Sequence, residues 1–112
     1  MHQQTAVQYE LEMLEAELEA ARLLVYKSAW MMDNKMPNSK EASMGKAKAG
    51  RIGNRISLKC VEICSMQGFS EEHLLEKFSR DSKILDIFEG TQQIQQLIVA
   101  RQVLGKSSSD LK

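Results

Sequence analysis

At 112 residues the chain has room for one domain at most. Its net charge is zero with both signs interspersed, so no basic face marks it for nucleic acid. No apolar run is long enough to span a membrane, and no basic-then-apolar leader opens the chain, so the location read from these absences is cytoplasmic.

The first element in chain order is a long helix from about Gln4 to Asp33. Val7, Leu11, Leu14, Leu18, Ala21, Val25, Ala29 and Met32 recur at steps of three and four, as on one face of a bundle helix. Met13, Leu24 and Met31 widen that stripe, which implies burial against more than one neighbour. Glu10, Glu12, Glu15, Glu17 and Glu19 crowd the first half, and they read as a solvated face that also suits the helix dipole.

Asn34 to Asn38 is polar and holds Pro37, the only proline, so the helix stops there. Ser39 is placed to cap a second helix that runs to about Met66, with Ala42, Ala49, Ile52, Ile56, Cys60 and Ile63 on one face. Gly45, Gly50 and Gly53 weaken it by roughly 1 kcal/mol each against alanine, a density of small residues that signals close helix–helix approach. Cys60 and Cys64 have no histidine beside them, and they read as small buried hydrophobes rather than a metal site.

Gly68 and Ser70 separate the second helix from a shorter third one, whose apolar side is Leu74, Leu75 and Phe78. That helix is expected to break near Arg80 and resume through Ile84, Leu85 and Ile87. Gly90 breaks the chain again. Thr91 caps a last helix bearing Ile94, Leu97, Ile98, Arg101 and Leu104, which Gly105 ends. Residues 1–106 therefore read as one all-α antiparallel bundle, and 107–112 as a flexible tail.

Four stretches resemble the C-terminal domain of the flavin-dependent acyl-CoA dehydrogenases. Residues 20–26 are similar to the family's "EAARLLVY" and residues 41–46 to its "EASMAK". Residues 77–84 resemble "RFFRDAKI", and Ile87-Phe88-Glu89-Gly90-Thr91-Gln92-Gln93-Ile94-Gln95 matches "IYEGTxQIQ". The resemblance spans nearly the whole chain but only the end of such an enzyme. It implies a fragment without the N-terminal helical domain, the middle β domain and the first helix of the bundle, where the family's "RxQFG" motif lies.

The resemblance also implies chemistry. In that family a glutamate removes the α proton of an acyl-CoA thioester while the β hydride passes to FAD, and Glu89 stands at the position of that base. Phe88, Ile87 and Ile84 are expected to wall it from water, which would raise its pKa and strengthen it as a base. Gly90 is expected to let substrate approach the backbone. Thr91 and Gln93 are expected to contact FAD. Glu62 stands where the glutamine of a "QxxGG" cofactor loop belongs. There the chain has a carboxylate in place of the glutamine, with Ser65 and Met66 in place of the glycines, so cofactor contact at Glu62 is in doubt. Arg80 and Asp81 are read as structural.

The implied partners are an acyl-CoA substrate, an electron-transfer flavoprotein for the full enzyme, and further copies in a homo-oligomer. The isolated chain is expected to be inactive. Two other readings stand beside this one: an inactive helical association module of the same lineage, and an oxidase-like relative, which the sequence does not separate from a dehydrogenase.

Overall fold

A computed structural model describes residues 5–111, and among these every regular element is helical. The elements are α1 (Ala6–Asp33), α2 (Ser39–Gly68), α3 (Leu75–Asp81) and α4 (Gln92–Leu104). Short 3-10 turns cover Glu71–His73, Ser82–Asp86 and Ser108–Leu111. The last of these lies in the expected tail, where the Asp110 carboxylate accepts from the Ser107 backbone at 2.8 Å. Helix α2 is the hub: α1, α3, the Ser82–Asp86 turn and α4 all pack on it, while α1 and α4 scarcely touch each other.

Helix α1 begins in a capping box. The Thr5 hydroxyl accepts from the Gln8 amide at 3.2 Å, and the Gln8 side chain accepts from the Thr5 amide at 2.9 Å. Its far end turns through Asn34, whose side-chain amide donates to the Trp30 carbonyl. The cap of α2 is Asn38, one residue before the expected Ser39. Asn38 does not use its side chain on the helix. Its amide reaches back to the Ser28 carbonyl at 2.9 Å and so ties the turn to α1.

The core is thin. Leu14, Ala21, Met31, Ile52 and Val61 are its buried apolar residues among those described. Leu14 and Ala21 belong to the expected stripe of α1, but Val7, Leu11, Leu18, Val25 and Met32 are exposed. The face turned to α2 instead follows Glu10, Leu14, Glu17, Ala21, Leu24, Ser28 and Met31. The stripe is thus wider than one interface, as Met13, Leu24 and Met31 suggested, and part of it is left uncovered.

Two members of the acidic run are not merely solvated. Glu17 accepts from Lys48 at 2.8 Å and Arg55 at 2.6 Å, and Glu10 pairs with Lys59 at 3.0 Å, all across the α1–α2 interface. The hydrogen bond from Lys48, with Arg55 beside it, holds the Glu17 carboxyl below its ordinary pKa.

On α2, Ile52 is buried, Ala49, Ile56, Cys60 and Ile63 are half-buried, and Ala42 is exposed. Cys64 is exposed too, and both cysteines are free thiols, so only Cys60 approaches the expected role. Gly50 shows why a glycine stands there: a methyl group on it would lie 2.6 Å from the Leu85 carbonyl oxygen. Near its end α2 is interrupted at Ser65, whose φ of 50° and ψ of −129° are not helical. Leu74 does not join the apolar side of α3. It adopts a left-handed conformation (φ 58°) that separates the Glu71–His73 turn from α3.

Candidate functional site

The corner between the Ser82–Asp86 turn and α4 is built from two successive left-handed residues, Glu89 (φ 54°) and Gly90 (φ 96°). Glycine adopts such a φ without cost, whereas for glutamate it is uncommon. The corner is locked from within. The Gln95 side-chain amide donates to the Glu89 carbonyl at 3.1 Å, and a methyl group on Gly90 would sit 2.7 Å from that same nitrogen. Thr91 then caps α4, its hydroxyl accepting from the Ile94 amide.

The amides of Glu89, Gly90 and Thr91 have no protein acceptor among the described residues. Consecutive free N–H groups at a left-handed corner, ahead of a helix N-terminus, form a concavity suited to an anion or a polarised oxygen. Gln93 lies in the first turn of α4 with its side chain exposed. Glu89, Gly90, Thr91 and Gln93 are therefore together in space as well as in sequence.

Beside the corner lies a hollow of about 220 Å³ lined by Lys46, Ala49, Gly50, Leu85, Phe88 and Glu89. Lys46 was not singled out by the sequence reading. Its ammonium lies 5.9 Å from the centre of the Phe88 ring, a cation–π contact across the floor of the hollow. Periodicity alone gives no sign of it, since the pairing depends on where the Ser82–Asp86 turn meets α2.

The expected apolar wall is open in this chain. Ile84, Ile87 and Phe88 are each about half exposed, and Glu89 itself is exposed. A wall closed against water would need apolar surface beyond what these residues provide.

Glu62 is not part of the corner. Lys46, which touches Phe88, and Glu62 are separated along α2 by a length of helix on the order of 24 Å at the α-helical rise. The Glu62 carboxylate is engaged by Lys59 at 2.9 Å, and Lys59 also holds Glu10. These bonds, that to Glu62 first, raise the Lys59 pKa above its ordinary value. Arg80 and Asp81 brace α3 itself: Arg80 grips Glu76 with two bonds, and Asp81 pairs with Lys77. No group of three or more His, Cys, Asp or Glu among the described residues is arranged to hold a metal ion, and no described helix is long and apolar enough to cross a membrane.

The model of the acyl-CoA dehydrogenase C-terminal domain matches residues 1–104. The chain belongs to the acyl-CoA dehydrogenase family. It is 41% identical over 101 residues to the caffeyl-CoA reductase–Etf complex subunit CarC of Acetobacterium woodii, covering 90% of this chain and 27% of that protein. It is 38% identical over 99 residues to the mitochondrial short-chain specific acyl-CoA dehydrogenase of Bos taurus, covering 88% and 24%.

Among solved structures, butyryl-CoA dehydrogenase from Megasphaera elsdenii superposes with a TM-score of 0.85 at 31% identity, over 88% of this chain and 26% of that one. A structure described as an electron transferring flavoprotein of Acidaminococcus fermentans gives 0.86 at 30% identity, over the same shares. The chain thus spans about a quarter of the length of these relatives. Within that quarter it keeps the helical bundle of the acyl-CoA dehydrogenases.

Proposed function

We propose that this chain serves as the C-terminal domain of an FAD-dependent acyl-CoA dehydrogenase and that Glu89 is its catalytic base. The observation that carries the reading is the corner itself. A carboxylate flanked by glycine projects beside an apolar hollow, and free backbone amides stand at the same place.

In this reading the Glu89 carboxylate takes the α proton of an acyl-CoA thioester. Negative charge then grows on the thioester oxygen, and the free amide of Glu89 is placed to donate to it. Gly90 keeps side-chain bulk away from that approach. Thr91 and Gln93, at the positive end of α4, suit an anionic cofactor and would hold FAD. Glu62 does not suit one, being an anion already engaged by Lys59. Bound FAD would supply the acceptor for the β hydride. An electron-transfer flavoprotein is the proposed partner that later takes the electrons.

The test is a chimera in which this chain replaces the matching quarter of the Megasphaera elsdenii butyryl-CoA dehydrogenase. Acyl-CoA turnover with an artificial electron acceptor is expected, and Glu89→Gln should reduce it by about 10²–10⁴-fold, the usual worth of a general base. Turnover unchanged in Glu89→Gln would remove Glu89 from the reaction.

One observation favours a second reading, an association module without catalysis. Val7, Leu11, Leu18 and Met32 present an exposed apolar strip on α1. A chimera that assembles and binds FAD but shows no turnover would favour that reading.

A further inference from the structure

We infer that Asn54, Ser57 and Ser82 are positioning residues that set where the Glu89 corner stands against α2. The inference rests on Glu89 being the base, and it concerns how that base is held.

The segment from Ser82 to Phe88 runs along α2, as a 3-10 turn to Asp86 and then a wider turn in which the Phe88 amide bonds to the Ile84 carbonyl four residues back. A 3-10 turn has three residues per turn, so residues 82 and 85 fall on one side, and Phe88 follows them toward α2. Each meets α2 in order. Ser82 contacts Asn54 and Ser57, the Leu85 carbonyl crowds Gly50, and Phe88 lies under Lys46. The partners on α2 are themselves spaced three to four apart, along one helical face. A slip of one residue at Ser82 would carry Glu89 off the corner.

Ser82 is the anchor. It is only 9% exposed, which is low for a serine, and its hydroxyl is fully used. The Asn54 side-chain amide donates to it at 3.1 Å, and it lies 2.8 Å from the Ser57 hydroxyl. The Ser82 hydroxyl has the Ser79 carbonyl at 3.0 Å as an acceptor, and the Asn54 amide also reaches that carbonyl at 3.4 Å. The Ser57 hydroxyl has the Gly53 and Asn54 carbonyls at 2.8 Å and 3.0 Å, so either serine can donate to the other. Each donor among Asn54, Ser57 and Ser82 thus has an acceptor within reach, and a part-buried network satisfied in this way is rigid.

Amide hydrogen exchange by NMR on the full ¹⁵N-labelled chain tests the inference without any reaction. The readouts are the Ile87 and Phe88 amides, both bonded to the Ile84 carbonyl. Ser82→Ala is expected to speed their exchange about tenfold, roughly the worth of one net hydrogen bond, and to shift the Glu89 and Gly90 resonances. The Leu14 and Ala21 amides of α1 should be unchanged. Asn54→Ala should give the same local pattern, and the double variant no more than the larger single effect. If Ser82→Ala does not fold, Asn54→Ala decides by the same comparison. Exchange that rises equally in α1 and at Phe88, or rises nowhere, overturns the inference. Neither result depends on turnover, so the role of Glu89 as base is tested separately.

Discussion

Helix α1 meets α2 through Leu14, Ala21 and Met31 and through ion pairs from Glu10 and Glu17. Residues 82–88 meet the same helix through a glycine, a carbonyl oxygen and three polar side chains. The first junction tolerates displacement, because apolar contacts are non-directional and long, half-exposed ion-paired side chains can follow a small shift. The second does not, because hydrogen bonds and a backbone placed against backbone permit only one register. The looser junction supports the molecule, and the stricter one carries the candidate base.

The sharpest way to break this contrast is Gly50→Ala. The added methyl meets the Leu85 carbonyl oxygen at 2.6 Å and the Asp86 Cα at 3.2 Å, neither of which can rotate away. A loss of about 3 kcal/mol is expected by chemical denaturation, at the upper end for overpacking. A loss below that of Leu14→Ala would mean that the second junction yields more readily than its geometry implies.

Leu14→Ala is expected to cost about 2 kcal/mol, the lower end for a buried leucine, since the thin core leaves the cavity open to relaxation. Its effect should stay in α1 and α2 and leave the Glu89 and Gly90 resonances in place.

How much could be read beforehand divides along the same line. The extent of α1, the Thr91 cap, the Gly90 break and the stop at Gly105 follow from local chemistry and are present in the structure. The crowding of Gly45 and Gly50 was legible as close approach, the role ranked above backbone access for a ligand, since small residues at this density inside a helix let another backbone come near. The face of α1 was only half legible, because a stripe wide enough for two neighbours does not say which one is present. The inward turn of Glu10 and Glu17 was hidden, since an acidic run looks the same whether or not bases oppose it. The positive φ of Glu89 and the Ser82 anchor were hidden for a different reason. Both depend on contacts between residues far apart in sequence.

Ser65 sharpens the comparison from a third place. Its φ of 50° and ψ of −129° favour glycine. Ser65→Gly should stabilise the chain by about 1 kcal/mol, seen as a raised melting temperature. A lowered one would show that the serine side chain supports the bend.

The smallest expected effect is on pH. Glu17 has a folded pKa below its unfolded value. Its contribution is therefore present above the unfolded pKa and is lost as pH falls through the folded one. Melting followed from neutral pH into the acid range should show a decline that is shallower in Glu17→Gln. Equal slopes would remove this pair from the stability of the α1–α2 junction.

The hub arrangement of α2 has a consequence for how the chain fluctuates. Helices α1 and α4 each lean on α2 and scarcely on each other. Release of one removes little that supports the other, so the two detach as separate events with separate free energies. A bundle closed on all sides loses its outer helices together, whereas this one can shed either and keep the remainder. The last helix, with Thr91 and Gln93 at its start, can thus loosen and reseat on α2 while the long hairpin of α1 and α2 stays folded beneath it.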